Sequence, residues 1–223
     1  MKLLSSLLMA FLLIGFVSSC KKDTAEKATV GAAKEVAKAT GITYTVDKTY
    51  SKVHWVGSKP TGTHTGTIDV SSGTVTVNDD KVTAGTFTMD MNTITSTDLE
   101  GDSKASIEGH LKGTRSPEEK SDFFDVADYP TAKFELTKTT NLANDPDATH
   151  LVYGNLTMKG VTKEIGFKAN IGISENGVTV NTPEFAIDRT DWGIKFMSKT
   201  FVEGLKEKFI NDEIKISIKL KAQ

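Results

Sequence analysis

From Ile42 to the C-terminus the chain alternates apolar and polar residues in run after run, and this alternation limits its fold more than any other feature. Val82 to Met91 shows the rule, with Phe87, Met89 and Met91 on one side and Thr86, Thr88 and Asp90 on the other. Successive side chains of an extended strand point to opposite faces, so such a run buries one face and wets the other. The same pattern runs through Ile42–Val46, Ser51–Val56, Thr63–Val70, Thr74–Val77, Thr131–Lys138, Leu151–Met158, Lys163–Ile173, Val178–Val180, Glu184–Ile187 and Ile214–Leu220. Threonine and valine dominate these runs, as suits pleated, half-buried surfaces. Turn residues separate them at Ser71-Ser72-Gly73, Asn78-Asp79-Asp80, Asn144-Asp145-Pro146-Asp147, Lys159-Gly160 and Asn176-Gly177. Short strands joined by tight turns pair antiparallel, so the expected fold is all-β, a sandwich or barrel and not a parallel sheet.

Three stretches depart from the rhythm. Ser96 to Lys120 has no period of two; Ile107 and Leu111, four apart, predict a short helix over Lys104–Leu111. Thr190 to Asn211 carries Trp192, Phe196, Met197, Phe201, Leu205 and Phe209, too apolar for a free loop, and reads as a helix or flap over one end of the fold. Ser121 to Leu136 (SDFFDVADYPTAKFEL) runs Phe123 and Phe124 into an acidic turn. There Pro130 pushes Tyr129 into an extended conformation and launches a strand near Thr131. Three aromatics in seven residues are expected to cover the end of something hollow or apolar.

The N-terminus reads as export machinery. Lys2 precedes an apolar stretch, Leu3–Phe16, too short to span a bilayer and suited to a signal-peptide core. Small residues then lead into Cys20, the chain's only cysteine, with the spacing of a bacterial lipoprotein box. The expected organisation is a signal peptide over 1–19, lipidated Cys20 with a flexible tether over 20–41, and a folded domain over 42–223. The tether expectation rests on the Lys, Ala, Thr and Glu of 21–41, which lack an apolar face able to dock. Acyl chains on Cys20 would anchor the protein to a membrane, placing it in the cell envelope, on the periplasmic side or the outer-membrane surface.

Composition excludes several classes. A formal net charge of -2 and a pI near 6.1 leave no basic face for nucleic acid. His54, His64, His110 and His150 have no ligand spacing, so neither metal nor cofactor is expected. Asp122, Asp125 and Asp128 around the aromatic turn read as turn formers before acid–base pairs. No Gly-x-Ser-x-Gly elbow, phosphate loop or nucleophile with a base beside it is present, which points away from an enzyme. In Phe185–Gly193, Arg189 has two readings: a structural corner paired with Asp188 or Asp191 while Trp192 plugs the barrel end, or a fork for an anionic head group. The corner is the simpler.

Val53, Trp55, Phe87, Met89, Met91, Phe134, Leu136, Leu156, Met158, Ile165, Phe167, Ile216 and Ile218 occupy the apolar phase of the strands. They are either a packed core or the wall of a ligand cavity, and alternation alone does not separate the two. Methionines beside aromatics suit an adaptable pocket.

Several motifs together carry a family resemblance. They are Tyr44-Thr-Val-Asp47 with Ser51-Lys-Val-His-Trp55, Gly73–Val77, the Ser121–Leu136 stretch, Gly154–Lys163, Phe185–Arg189 with Trp192-Gly193, and Asp212–Ile218. In this order and spacing, across Ile42 to Leu220, the chain resembles the YceI-like family. The resemblance implies an extended, antiparallel, eight-stranded lipocalin-like barrel with a short helix and a mobile insertion near its mouth. It also implies non-catalytic binding of a long apolar lipid, polyisoprenoid-like, inside the barrel, for storage or transfer at the bacterial envelope. Its candidate ligand-binding set is the apolar wall above together with Phe123, Phe124, Arg189 and Trp192. The alternative is a structural lipoprotein with a filled barrel that recruits an envelope partner; homodimerisation is left open. The chain departs from the family at Leu99-Glu-Gly-Asp102-Ser103, where an Arg-Asp pair is usual, and at Cys20, where free secretion is usual.

Overall fold

The alternating runs pair with their neighbours in sequence, as tight turns between them require. The computed structural model describes residues 25–223, and its strands are β1 (Glu26–Lys27), β2 (Thr29–Ala32), β3 (Ile42–Thr45), β4 (Lys52–Lys59), β5 (Gly62–Asn78), β6 (Lys81–Ser96), β7 (Thr131–Asn141), β8 (His150–Met158), β9 (Val161–Ser174), β10 (Gly177–Asn181), β11 (Phe185–Asp188) and β12 (Glu213–Ala222). One helix, α1 (Gly101–Lys112), follows β6. No helix among the described residues is long and apolar enough to cross a membrane.

From β4 to β10 each strand pairs antiparallel with the next, and β12 pairs with both β10 and β4, which closes the sheet into a barrel. Strands β3 and β4 share one stave, as do β10 and β11, giving a closed eight-staved antiparallel barrel with one short helix. Closure leaves no long sheet edge unpaired. The inward phase of the staves forms one apolar cluster, from Val53 and Ile68 on one side to Ile165 and Phe167 on the other.

Three expectations change. Thr63–Val70 and Thr74–Val77 are one strand, β5, of 17 residues. Ser71-Ser72-Gly73 is a bulge and not a turn: the register against β6 shifts between Val70 and Ser72, and the Ser71 hydroxyl donates to the Thr88 carbonyl at 3.1 Å. Such a bulge adds one residue and bends the strand, as barrel closure requires. Of the two forms expected for Thr190–Asn211, helix or flap, the helix is absent; beyond two single 3₁₀ turns, Arg189–Trp192 and Lys206–Lys208, the path is irregular.

The third correction concerns the tether. From Ala25 the chain is part of the barrel. Strand β1 pairs parallel with β11, Glu26 opposite Phe185, and β2 pairs antiparallel with β9, Val30 opposite Ile165. The segment therefore bridges β11 and β9 where those two staves do not pair with each other. It continues across the outer surface: the Lys34 N–H donates to Asn155 Oδ1 at 2.9 Å and the Ala37 N–H to the Leu136 carbonyl at 2.8 Å. Backbone pairing to open strand edges needs no apolar side chains, which is why composition read this stretch as free. The signal peptide over 1–19 and the lipidation at Cys20 lie outside the described residues.

Candidate functional site

The barrel encloses a cavity of about 780 Å³. Its wall takes the inward residues of nearly every stave: Val53 and Trp55 from β4, Phe87, Met89 and Met91 from β6, Phe134 and Leu136 from β7. Leu156 and Met158 from β8, Ile165 and Phe167 from β9, and Ile216 and Ile218 from β12 complete the predicted set. These positions share one face because side chains alternate along each strand. Four phenylalanines form a ladder across the wall, Phe87–Phe134–Phe167–Phe185, with ring centroids 6.2, 5.7 and 4.5 Å apart. The last pair is stacked and spans the seam between β9 and β11. The tip of the Phe134 ring covers Gly154 on the neighbouring strand, where a Cβ would sit 2.1 Å from Cζ, so a side chain there would have to push the ring aside.

One end of the barrel is covered by three elements. Helix α1 contributes Ile107, His110 and Leu111 to the lining, and the aromatic turn contributes Phe123 and Phe124. The turn is fastened to the helix end: the Phe124 N–H donates to the Leu111 carbonyl at 3.1 Å and the Val126 N–H to the Lys112 carbonyl at 3.0 Å. The third cover is the 190–211 insertion, through Ile194 and Ile210. His110 joins all three. Its Nε2 lies 2.9 Å from Asp122 Oδ2, and its ring meets Phe123 and Phe196 edge-on at 5.0 and 4.9 Å. Polar lining gathers at this end, in Ser58, Lys59 and His64 of the β4–β5 hairpin and Asp102, Ser103, Ser106 and Arg115 around α1. The indole N–H of Trp55 is buried in the wall without an acceptor among the described residues, and a buried donor gains from any acceptor brought beside it.

Arg189 and Trp192 are placed differently from expectation. Arg189 borders the cavity but is 2% exposed, and its guanidinium donates to the carbonyls of Asn211, Ile194 and Ile210 at 3.2, 2.8 and 3.1 Å. Its carboxylate partner is Asp212 at 3.4 Å, not Asp188 or Asp191. Asp188 instead caps the following turn through Thr190, and Asp191 lies 3.9 Å from Lys163. Burial pulls the Arg189 pKa down against the pull of Asp212 and Asp188, so the buried cation is held by acceptors on several sides. It is a structural corner that ties the insertion to β12. Trp192 is fully buried, donates its indole N–H to the Leu156 carbonyl at 3.1 Å and is absent from the cavity lining.

The acidic turn has no paired carboxylates facing the cavity. Asp122 holds His110, Asp128 holds Lys120 at 2.7 Å, and Asp125 takes a positive φ of 48° that begins the turn. Among the described residues no group of three or more His, Cys, Asp or Glu side chains is placed to hold a metal ion. Lining residues that alternation alone did not single out include Ile68, Val70 and Val75 on the β5 stave, where the supposed turn hid the phase, and Ile194 and Ile210 in the insertion, which has no period to read.

Two proteins of Pseudomonas putida, from strains F1 and KT2440 and both designated UPF0312, are 36% identical to the chain over 104 residues, covering 40% of it and 51% of each of them. The chain thus spans about half the length of the curated relatives it matches. Among solved structures, Burkholderia cenocepacia BcnA superposes with a TM-score of 0.61 at 20% identity, over 80% of this chain and 99% of that one. A polyisoprenoid-binding domain from Saccharophagus degradans, described as implicated in plant cell wall breakdown, superposes with a TM-score of 0.58 at 18% identity, over 85% and 99%. At these identities the likeness is one of fold. A model of the YceI-like domain matches residues 44–222, almost the whole barrel, and the chain therefore belongs to the YceI-like family.

Proposed function

We propose that the barrel is a non-catalytic carrier of a long apolar lipid chain of the polyisoprenoid kind, held along its axis with any polar head at the α1 end. The observation that carries this reading is the cavity itself: about 780 Å³, walled by aliphatic and aromatic side chains, with polar groups gathered at one end. A pocket of this size falls within the roughly 300–1,000 Å³ of small-molecule sites. Each buried CH₂ contributes about 0.8 kcal/mol, so several isoprene units outweigh the cost of association. The polyisoprenoid-binding domain of the same fold supports the ligand class. A barrel filled by its own side chains would leave no cavity of this size, which tells against the alternative of a purely structural lipoprotein. The reading includes an envelope location, with acylation of Cys20 as the membrane anchor.

Native mass spectrometry with organic extraction, on protein purified from bacterial membranes, tests it. A stoichiometric adduct that extracts as a long apolar chain is the expected result. A clean ligand-free mass, with no uptake of added polyprenol, would overturn the proposal.

A further inference from the structure

The 190–211 insertion turns one side to the cavity and the other to solvent. Ile194 and Ile210 line the cavity, and Phe196 packs on His110 and Phe123. Its base is pinned: the Ile210 N–H donates to the Met197 carbonyl at 2.9 Å, the Asn211 N–H donates to the Ser58 carbonyl at 2.9 Å, and Ser198 is fully buried. Between these pins, residues 199–208 are mostly exposed, with the Thr200 hydroxyl donating to Asp212 Oδ2 at 2.7 Å. Their tip exposes two adjacent apolar side chains, Phe201 at 50% and Val202 at 40%.

Lysines surround that tip. Lys195 Nζ lies 4.3 Å from the Phe201 ring centroid and Lys199 Nζ 5.0 Å from that of Phe209. Lys206 and Lys208 follow, and all four are exposed. Against Glu203 and Glu207 they leave a local charge of +2 (four minus two) on a chain whose total is -2. An apolar tip ringed by cations matches a surface that is anionic outside and apolar beneath. It matches a protein partner poorly, because two side chains fall far short of the roughly 1,000 Å² that a stable interface buries.

We propose that the 198–209 excursion docks the barrel onto an anionic lipid bilayer. Phe201 and Val202 enter the acyl boundary, and Lys195, Lys199, Lys206 and Lys208 meet lipid phosphates. Docking brings the covered end of the cavity to the source of its ligand. That purpose rests on the proposed lipid-carrying role, whereas docking itself does not require a filled cavity.

The test uses the mature chain from residue 20 onward with Cys20→Ala, so that neither an acyl anchor nor the apolar Leu3–Phe16 stretch contributes, and an environment-sensitive fluorophore on Val202→Cys. A control label sits on Tyr50→Cys, an exposed position just before the opposite end of β4. With vesicles of phosphatidylglycerol and phosphatidylcholine, the label at 202 shifts to the blue and is quenched by brominated lipid, while the label at 50 does neither. Phosphatidylcholine alone gives a weaker response, and salt weakens both. Lys195→Glu with Lys199→Glu lowers the partition coefficient at least tenfold, since each lysine near an anionic surface is worth roughly fivefold. No response at 202, or equal responses at 202 and 50, overturns the proposal. So does a dimer formed without vesicles and abolished by Phe201→Ser. Polyprenol uptake separates this proposal from the cavity reading: Phe201→Ser slows loading from vesicles about tenfold and leaves final occupancy from an ethanol dispersion unchanged. Absence of uptake by either route counts against the cavity reading alone, and the labels still decide docking.

Discussion

Phe87 and Trp192 are both large aromatics of one barrel, and their surroundings give them different duties. Phe87 is half-buried, faces the cavity and stacks on Phe134; Trp192 is fully buried behind the lining and satisfies the Leu156 carbonyl. Trp192→Ala should cost about 3–5 kcal/mol, because it leaves a closed void and an orphaned acceptor. Phe87→Ala in ligand-free protein should cost less than about 3 kcal/mol, because the space it opens joins one that exists already. Urea unfolding measures both costs, and the ranking should reverse for retention of a bound polyprenol. Equal large costs would mean that Phe87 sits in a packed core. Asp98 supplies a pH-dependent contribution at the covered end. Burial pushes its pKa up, but the Thr65 N–H, the His64 ring and the Ser96 hydroxyl outweigh this and hold it at about 2, from an ordinary 3.8. Its folded-state value is thus depressed, so its stabilisation is complete above the unfolded pKa near ~4 and is lost as pH falls from there towards 2. Thermal melts at pH 5 and pH 2.5 should differ less in Asp98→Asn than in the parent; an unchanged difference would remove Asp98 from the acid response.

At the scale of elements, the barrel was legible wherever a strand keeps one face buried throughout its length. β7 and β8 begin within a residue of where alternation places them, and α1 runs three residues earlier and one later than Ile107 and Leu111 predict. The corners were not legible. Ser71-Ser72-Gly73 has the composition of a turn and the role of a bulge, a choice set by how far the staves must bend. Arg189 has carboxylates one before and two after it, yet takes its acceptors from residues 194 and 210–212, which the fold alone brings near. The cavity face was visible as apolar phase, but hollow against filled depends on the barrel's girth, which no single strand encodes. The N-terminal segment was the largest miss, and it carries the next prediction. Residues 26–32 close the seam between β9 and β11 by pairing with both, beside the strands that carry the Phe167–Phe185 stack. Ala28 crosses from one edge to the other and donates its N–H to the Ala186 carbonyl at 2.9 Å. Ala28→Pro deletes that donor, at a cost of about 1 kcal/mol for the bond itself. Hydrogen exchange should quicken in 163–166 and 185–187 and stay slow in β5–β8, and a bound chain should leave roughly tenfold faster. Unchanged exchange at the seam would show that the aromatic stack closes it alone.

Considered as a whole, the molecule places its wall close to its proposed anchor. Five residues separate Cys20 from Glu26, the first residue of β1. Whatever path they take, six links at no more than about 3.6 Å each reach only about 22 Å. An acylated Cys20 therefore holds the barrel beside the bilayer instead of lifting it away. The anchor and the excursion then have separable roles, residence on the membrane and orientation of the mouth. A single acyl chain binds a membrane only reversibly, at about 0.8 kcal/mol per buried CH₂, and two or more bind it stably. In a bacterium able to process lipoproteins, the parent chain should partition into the detergent-rich phase and show a mass raised by the acyl groups. Cys20→Ala, with residues 1–19 replaced by the signal of a freely secreted protein, should move to the aqueous phase without that mass. If Cys20→Ala stayed in the detergent phase and 198–209 charge reversal released it, the excursion and not the cysteine would be the anchor. If the parent itself were aqueous and unmodified, the lipoprotein assignment would fall, and the family's cavity would belong to a free carrier that meets the membrane only through its lysine-ringed tip.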